Sequence, residues 1–353
     1  KEFGKEKFFS FEKTMFLLLF GKIPTNFELK MFNSTLKEYR TLPDEFIENF
    51  ILRQPSKDIM NQLQRTVLCL YTIDKNPDDT SLENLINQAL HLIAKFPSLL
   101  VYSYHAVNHK HFKQSFIIHN PVKEYSIAQN ILHMLRPDSS FTALEAEILD
   151  LILLIHAEHG GGNNSTFTSH VVSSTGTDTY SSVSASIGSL KGPLHGGANC
   201  MVSNMIEDIK KNCSYTNEEF LKEYIRKIFM GEAFDRSGKV YGMGHAIYTL
   251  SDPRAVILKK KAYELAKEKG QLEEFELFSN VEKFTKEIGK EIKGESFEIC
   301  ANVDLYSGFV YKLLNIPTNI FTPLFALARI ASWNAHRIEQ ITSDKKIIRP
   351  AYK

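Results

Sequence analysis

His195 stands among glycines in Gly192-Pro193-Leu194-His195-Gly196-Gly197-Ala198-Asn199. Glycines on both sides leave an imidazole accessible and let a ligand approach the main chain. The run Met201, Met205, Ile206, Ile209 behind it has helical period. His195 is therefore expected just before a helix N-terminus, where the positive end of the dipole disfavours imidazolium. A neutral imidazole can donate an N–H bond to a developing oxyanion or enolate. A glycine-rich turn with an incidental histidine is the plain alternative.

Four other places break the pattern around them. The stripe Leu144, Ile148, Leu151, Ile155, continued by four, reaches His159, with Gly160-Gly161-Gly162 directly after it. A core histidine bonded to a carbonyl is one reading; a His156–His159 metal pair is another, but zinc needs three or four ligands and none completes the set. In Tyr241-Gly242-Met243-Gly244-His245 a second histidine follows glycines. Shortly after comes Ser251-Asp252-Pro253-Arg254, where Ser251 or Asp252 can cap a helix that has Pro253 at its first position. Arg254 in that first turn opposes the dipole at a cost of ~0.3–1 kcal/mol, so arginine and dipole would welcome the same anion; a surface arginine turned into water is the alternative. Arg329 lies in a helix apolar on nearly every side, and a buried guanidinium demands a partner, from a salt bridge or from a ligand. Asp304, in Asn302-Val303-Asp304-Leu305-Tyr306-Ser307-Gly308, is one carboxylate among apolar neighbours: a usable base if partly buried, otherwise a helix cap.

The elements that must position these groups read as helices. Leu29, Phe32, Leu36 and Tyr39 share a helix face after Pro24-Thr25. Leu82, Leu85, Ile86, Ala89 and Ile93 follow Ser81, and Pro97 is expected to end that helix. Thr142 with Glu145 makes a capping box. Asn163–Ser189 reads as a packed helix of small residues, and Lys259–Lys293 as solvent-facing helix with a turn near Gly270. Period-2 alternation is scarce, so the fold class is mostly α with few short strands.

Bulk composition narrows the function classes. With 43% hydrophobic and 24% charged residues the chain is of ordinary globular kind, and a net charge of +1 makes no case for nucleic acid or a membrane surface. Four cysteines without a CxxC fit a reduced, cytoplasmic protein. No apolar run approaches a membrane span. The chain begins at Lys1 rather than Met, so the natural N-terminus is expected to lie further upstream.

In this order, the segments His156-Ala157-Glu158-His159, Gly192–Asn199, Gly242–His245 with Asp252-Pro253-Arg254, Val303–Gly308 and Phe321–Arg329, together with Ile348-Arg349-Pro350, resemble the citrate synthase family. The resemblance runs from about Phe11 onward. It implies a two-domain, all-helical homodimer: a large helical domain over 1–194 and 309–353, and a small catalytic domain over 195–308. It implies condensation of acetyl-CoA with oxaloacetate, a place in the tricarboxylic acid cycle, acyl-CoA as co-substrate, and no metal. Asp304 would take a proton from the acetyl methyl group. His195 would donate to the thioester oxygen, and His245 would polarise the oxaloacetate carbonyl. His159, Arg254 and Arg329 would hold the dicarboxylate, with Arg349 reaching the partner subunit's site. Gly242, Met243, Gly244 and Asn302 would lie against CoA, and the domains would close over the substrates. Departures are Glu158 and Gly160 around the second histidine, Ala246 where many members carry an arginine for the CoA phosphate, and a short tail after Arg349. The alternatives are 2-methylcitrate synthase using propionyl-CoA, a non-catalytic homologue, and a metal hydrolase on His156 and His159.

Overall fold

The structure is a computed structural model, and it describes residues 10–245, 248–343 and 346–351. Ala246, the expected gap in the phosphate grip, lies outside the described residues. In chain order the first helices are α1 (Ser10–Phe20), α2 (Asn26–Tyr39), α3 (Asp44–Phe46, continued by a π-helical turn at Ile47–Leu52), α4 (Ile59–Leu70) and α5 (Leu82–Phe112). Next come α6 (Ile127–Leu135), α7 (Ala143–His156), α8 (Asn164–Ser173), α9 (Thr179–Lys191) and the short α10 (Pro193–Gly196). Then follow α11 (Ala198–Asn212), α12 (Glu218–Phe229), α13 (Pro253–Glu268), α14 (Leu272–Lys293), α15 (Val303–Leu313) and α16 (Phe321–Ser343). Strand pairing among the described residues is confined to one antiparallel bridge between Met243 and Ala301.

Local chemistry starts these helices. Thr25 and Glu28 form a capping box on α2, and Thr142 and Glu145 one on α7. Each such cap is worth about 1 kcal/mol. Leu29, Phe32 and Leu36 turn the apolar face of α2 inward.

Pro97 does not end its helix. α5 runs through it to Phe112, and Phe96, Leu99, Leu100 and Val101 around it are fully buried. A proline inside a helix costs about 3 kcal/mol, whereas each buried large apolar side chain returns roughly 1.5–3 kcal/mol. Burial therefore wins.

The expected extension of α7 to His159 also fails. The helix stops at His156, where the N–H of Ala157 bonds back to the Leu154 carbonyl in a tightened last turn. His156 takes the inward position, 1% exposed, and His159 lies in the loop beyond. The small-residue segment is two helices, not one: Gly176, at φ +79°, turns the chain between α8 and α9. Serines let the two approach, with Ser173 Oγ 2.9 Å from Ser182 Oγ. Gly270, at φ +66°, separates α13 from α14 as the sequence leads one to expect.

The chain divides into two compact units, Lys1–His195 with Thr322–Lys353, and Gly196–Phe321. In the first, α16 brings a fully buried Trp333 and Arg337, the guanidinium donating to Thr179 Oγ1 at 3.0 Å and to Ser173 Oγ at 3.2 Å. In the second, α15 packs on α11 and α13. Gly308 falls inside α15, so this unit runs on to Phe321. A Cβ at Gly308 would come within 2.5 Å of Asn199 Oδ1, which makes this glycine the point of close approach between α11 and α15.

Candidate active site

In the first unit His195 is half-buried and held through Nε2. The backbone N–H of Ser165 donates to that nitrogen across 3.3 Å. Ser165 lies in the first turn of α8, where amides have no partner inside the helix. Ser165 Oγ also lies 3.1 Å from Nε2; with Nε2 accepting the Ser165 N–H, a neutral ring carries its hydrogen on Nδ1. Ser165 is itself fixed: Oγ is 2.8 Å from Asn163 Oδ1 and accepts the Trp333 indole N–H at 3.3 Å. Burial pushes the His195 pKa below the ordinary histidine range, and the charges of Arg329 and His159 push it further. The direction is the one the sequence leads one to expect, but the leading cause is burial rather than a helix dipole.

Arg329 is fully buried, and its Nε donates to the His156 carbonyl at 2.5 Å. The guanidinium stands 4.8 Å over the Phe325 ring. His156 packs at a tilt against the same ring, with centroids 4.7 Å apart, so it is sealed in the core and makes no accessible metal pair with His159. His159 is half-buried, and its backbone N–H donates to Glu158 Oε1 at 2.7 Å. His159, His195 and Arg329 thus form one electrostatic group. Arg349 is exposed near the C-terminus, one residue after Ile348, whose N–H bonds Ser174 Oγ at 3.0 Å.

The second unit gathers the remaining candidates. Gly242-Met243-Gly244 is laced to Cys300–Asn302: Asn302 N–H donates to the Gly242 carbonyl at 2.9 Å, and Gly244 N–H to the Cys300 carbonyl at 2.7 Å. The Asn302 side chain bonds the Gly244 carbonyl at 2.8 Å and accepts the Asp304 N–H at 3.0 Å. Asn302 is therefore the N-cap of α15, and Asp304, half-buried, sits in the first turn. There the dipole favours a carboxylate. Of the two readings of this segment, the cap falls to Asn302 rather than to Asp304.

Arg254 is not a bare cation. Its Nε and one terminal nitrogen grip both oxygens of the buried Asp252 at 3.1 and 2.9 Å. The latter nitrogen also lies 3.2 Å from His245 Nε2, while His245 Nδ1 lies 3.2 Å from the Tyr248 N–H. A neutral imidazole has one lone pair, so it accepts only one of these two donors.

Sequence reasoning missed Ser165 and Trp333, which orient His195. Nothing near them in sequence marks a serine 30 positions from His195 as its partner. Asp252 was visible as a cap, and its clamp on Arg254 was not. The spacing of two residues was the available signal.

Imidazoles, guanidinium groups and a carboxylate at a helix start are groups suited to acid–base chemistry. A family model described as "Citrate synthase, C-terminal domain" matches residues 5–351, and the chain belongs to the citrate synthase family. It is 34% identical over 345 residues to citrate synthase of Haloferax volcanii, covering 97% of this chain and 84% of the relative. To 2-methylcitrate synthase of Shewanella oneidensis it is 32% identical over 342 residues, covering 97% and 83%. It superposes with a TM-score of 0.78 and 25% identity on a citrate synthase of Thermoplasma acidophilum solved with carboxymethyl coenzyme A and oxaloacetate, covering 97% of this chain and 84% of that one.

Proposed function

We propose that this chain condenses acetyl-CoA with oxaloacetate and hydrolyses the citryl thioester to citrate and CoA. Asp304 takes the proton from the acetyl methyl carbon. That carbon acid is weak, so the base needs help from a donor on the thioester oxygen. His195 is that donor, through Nδ1–H. The electron pair left on carbon attacks the oxaloacetate carbonyl, which His245 polarises and protonates. His159, Arg254 and Arg329 hold the dianion, and Gly242, Met243, Gly244 and Asn302 lie along CoA.

Beyond family membership, the observation that carries this reading is the Ser165 N–H on His195 Nε2. It leaves the proton on the nitrogen that must donate. His245 fits its part once an oxaloacetate carboxylate draws the Arg254 nitrogen off Nε2, freeing that edge for the carbonyl oxygen. We further propose a cytoplasmic homodimer in which the exposed Arg349 serves the partner's site; the four cysteines, all free thiols, fit that compartment.

The assay is CoA-SH release from acetyl-CoA and propionyl-CoA with oxaloacetate. Acetyl-CoA should lead in kcat/KM. The 2-methylcitrate synthase match favours one second reading, the same chemistry on propionyl-CoA. One methylene is worth ~1–3 kcal/mol, so a 10-fold or greater preference for propionyl-CoA decides for it. No release from either thioester refutes both.

A further inference from the structure

α8 and α16 bring two histidines edge to edge. His170 Nε2 lies 3.1 Å from His336 Nδ1. Glu339, one turn beyond His336, places Oε2 3.4 Å from the same Nδ1. The three donor atoms all lie within 4.8 Å of one another. The far edge of each ring is already engaged. His170 Nδ1 is 3.0 Å from Gln340 Oε1, and an amide oxygen only accepts, so Nδ1 carries the hydrogen. His336 Nε2 is 3.1 Å from Glu158 Oε2, so that nitrogen carries its hydrogen too. In neutral rings the two facing nitrogens then both hold lone pairs, beside a carboxylate. Three groups able to offer an electron pair converge here, where either a metal ion or an added proton, which Glu158 favours on His336, would bridge them.

We propose that His170, His336 and Glu339 bind a divalent transition-metal ion of the zinc type. Zinc–nitrogen bonds of 2.0–2.1 Å in a tetrahedron set donor atoms about 3.3 Å apart. Two edges of the triangle, 3.1 and 3.4 Å, match that spacing. Gln340 and Glu158 are the outer partners that fix ligand imidazoles in place. Glu339 is exposed, so water can supply a fourth ligand. Gly161 borders both rings; a Cβ there would stand 3.7 Å from His170 Nε2.

The site shares no residue with the groups assigned to the reaction. It lies one carboxylate away from one of them, because Glu158 also accepts the backbone N–H of His159. A bound ion would fix His336, His336 would fix Glu158, and Glu158 would brace the His159 loop. The metal's part is structural, and the condensation runs without it.

The test is calorimetric titration of the chelator-stripped full chain with zinc chloride. One ion per chain should bind with a Kd of about 1 μM or tighter. His170→Ala and Glu339→Gln should each weaken binding at least about 10-fold, and Gln340→Ala about 10-fold as loss of an outer partner. Glu339 is exposed, so its variant folds and keeps the test valid if His170→Ala does not. No binding up to about 100 μM, a hundredfold above the expected Kd, would overturn the site. So would unchanged affinity in both ligand variants, which would place the ion elsewhere. In either case the lone pairs are relieved by a proton shared between the rings.

Discussion

The Ser165 amide donates to His195 Nε2 across 3.3 Å. Protonation of that nitrogen would set two N–H groups against each other. The contact thus works in the same direction as burial, Arg329 and His159, which lower the pKa of the ring. His195 is held neutral, with one proton to offer.

The first prediction concerns pH. A lowered pKa keeps the ring neutral down through the ordinary histidine value of about 6.5. The pH profile of kcat should therefore show no loss from His195 protonation until the pH is below that value. His195→Ala should cut kcat by about 10²–10³, the usual cost of one oxyanion donor. A loss centred at or above 6.5 in the native enzyme, absent in a His195→Gln variant with residual activity, would contradict the assignment.

Asp304→Ala should lower kcat by about 10²–10⁴ while oxaloacetate binding, measured calorimetrically, stays nearly unchanged. α15 should persist, because Asn302 rather than Asp304 supplies its cap. Near-normal turnover would remove Asp304 from its role.

Arg329→Ala should weaken oxaloacetate binding and also destabilise the fold. The side chain is fully buried, bonds the His156 carbonyl and covers Phe325. Its removal leaves a cavity and an orphaned carbonyl, together about 2–5 kcal/mol. Urea unfolding reads the loss. A shift below about 1 kcal/mol would show that the pocket collapses without cost.

Gly242→Ala should disturb the approach of Gly242-Met243-Gly244 to the start of α15. Gly242 has φ +82°, and an added Cβ would stand 2.9 Å from the Leu305 Cα, a backbone atom that cannot step aside. Strain of about 1–3 kcal/mol should appear in thermal unfolding, with kcat reduced more than oxaloacetate affinity. Wild-type stability and turnover together would refute the close approach.

A buried carboxylate pair should make stability fall with rising pH. Glu12 accepts the Ile127 N–H at 2.7 Å, and Asp150 accepts those of Ser10 and Phe11 at 3.1 and 3.3 Å. Burial first, and for Glu12 the charge of Asp150 next, raises both pKa values. The folded state then holds these protons more tightly than the unfolded chain. Their stabilisation is complete below the unfolded carboxylate value of about 4, and it is lost as pH rises through the raised values. Glu12→Gln, which cannot ionise, should gain about 1–3 kcal/mol over the native chain at pH 9 relative to pH 5 in urea unfolding. An identical pH dependence of both chains would show that Glu12 titrates normally.

The sequence made legible what short-range chemistry decides. Thr25 with Glu28 and Thr142 with Glu145 announce their helices because both partners of each cap lie within one turn. Asp252 before Pro253 does the same for α13. Pro97 misled because its local cost is overcome by burial that only the tertiary structure reveals. His159 misled because a periodic stripe does not show where a helix stops. The chemical residues stood out as exceptions in type, such as a guanidinium in an apolar helix. Their partners did not: Ser165 and Trp333 are ordinary residues made important by where the fold puts them, and Asp252 showed as a cap but not as the clamp on Arg254.

The first unit is built from two segments separated in sequence, Lys1–His195 and Thr322–Lys353. Trp333, Arg329 and Arg337, which finish its interior, are all on α16. During synthesis the segment Lys1–His195 therefore leaves the ribosome without the wedge that completes it. The contiguous second unit, Gly196–Phe321, can mature while it waits. Chains usually acquire structure from the leading end first. Here the later-made unit can be complete first, and a nascent chain halted before residue 322 would expose unfinished core to chaperones.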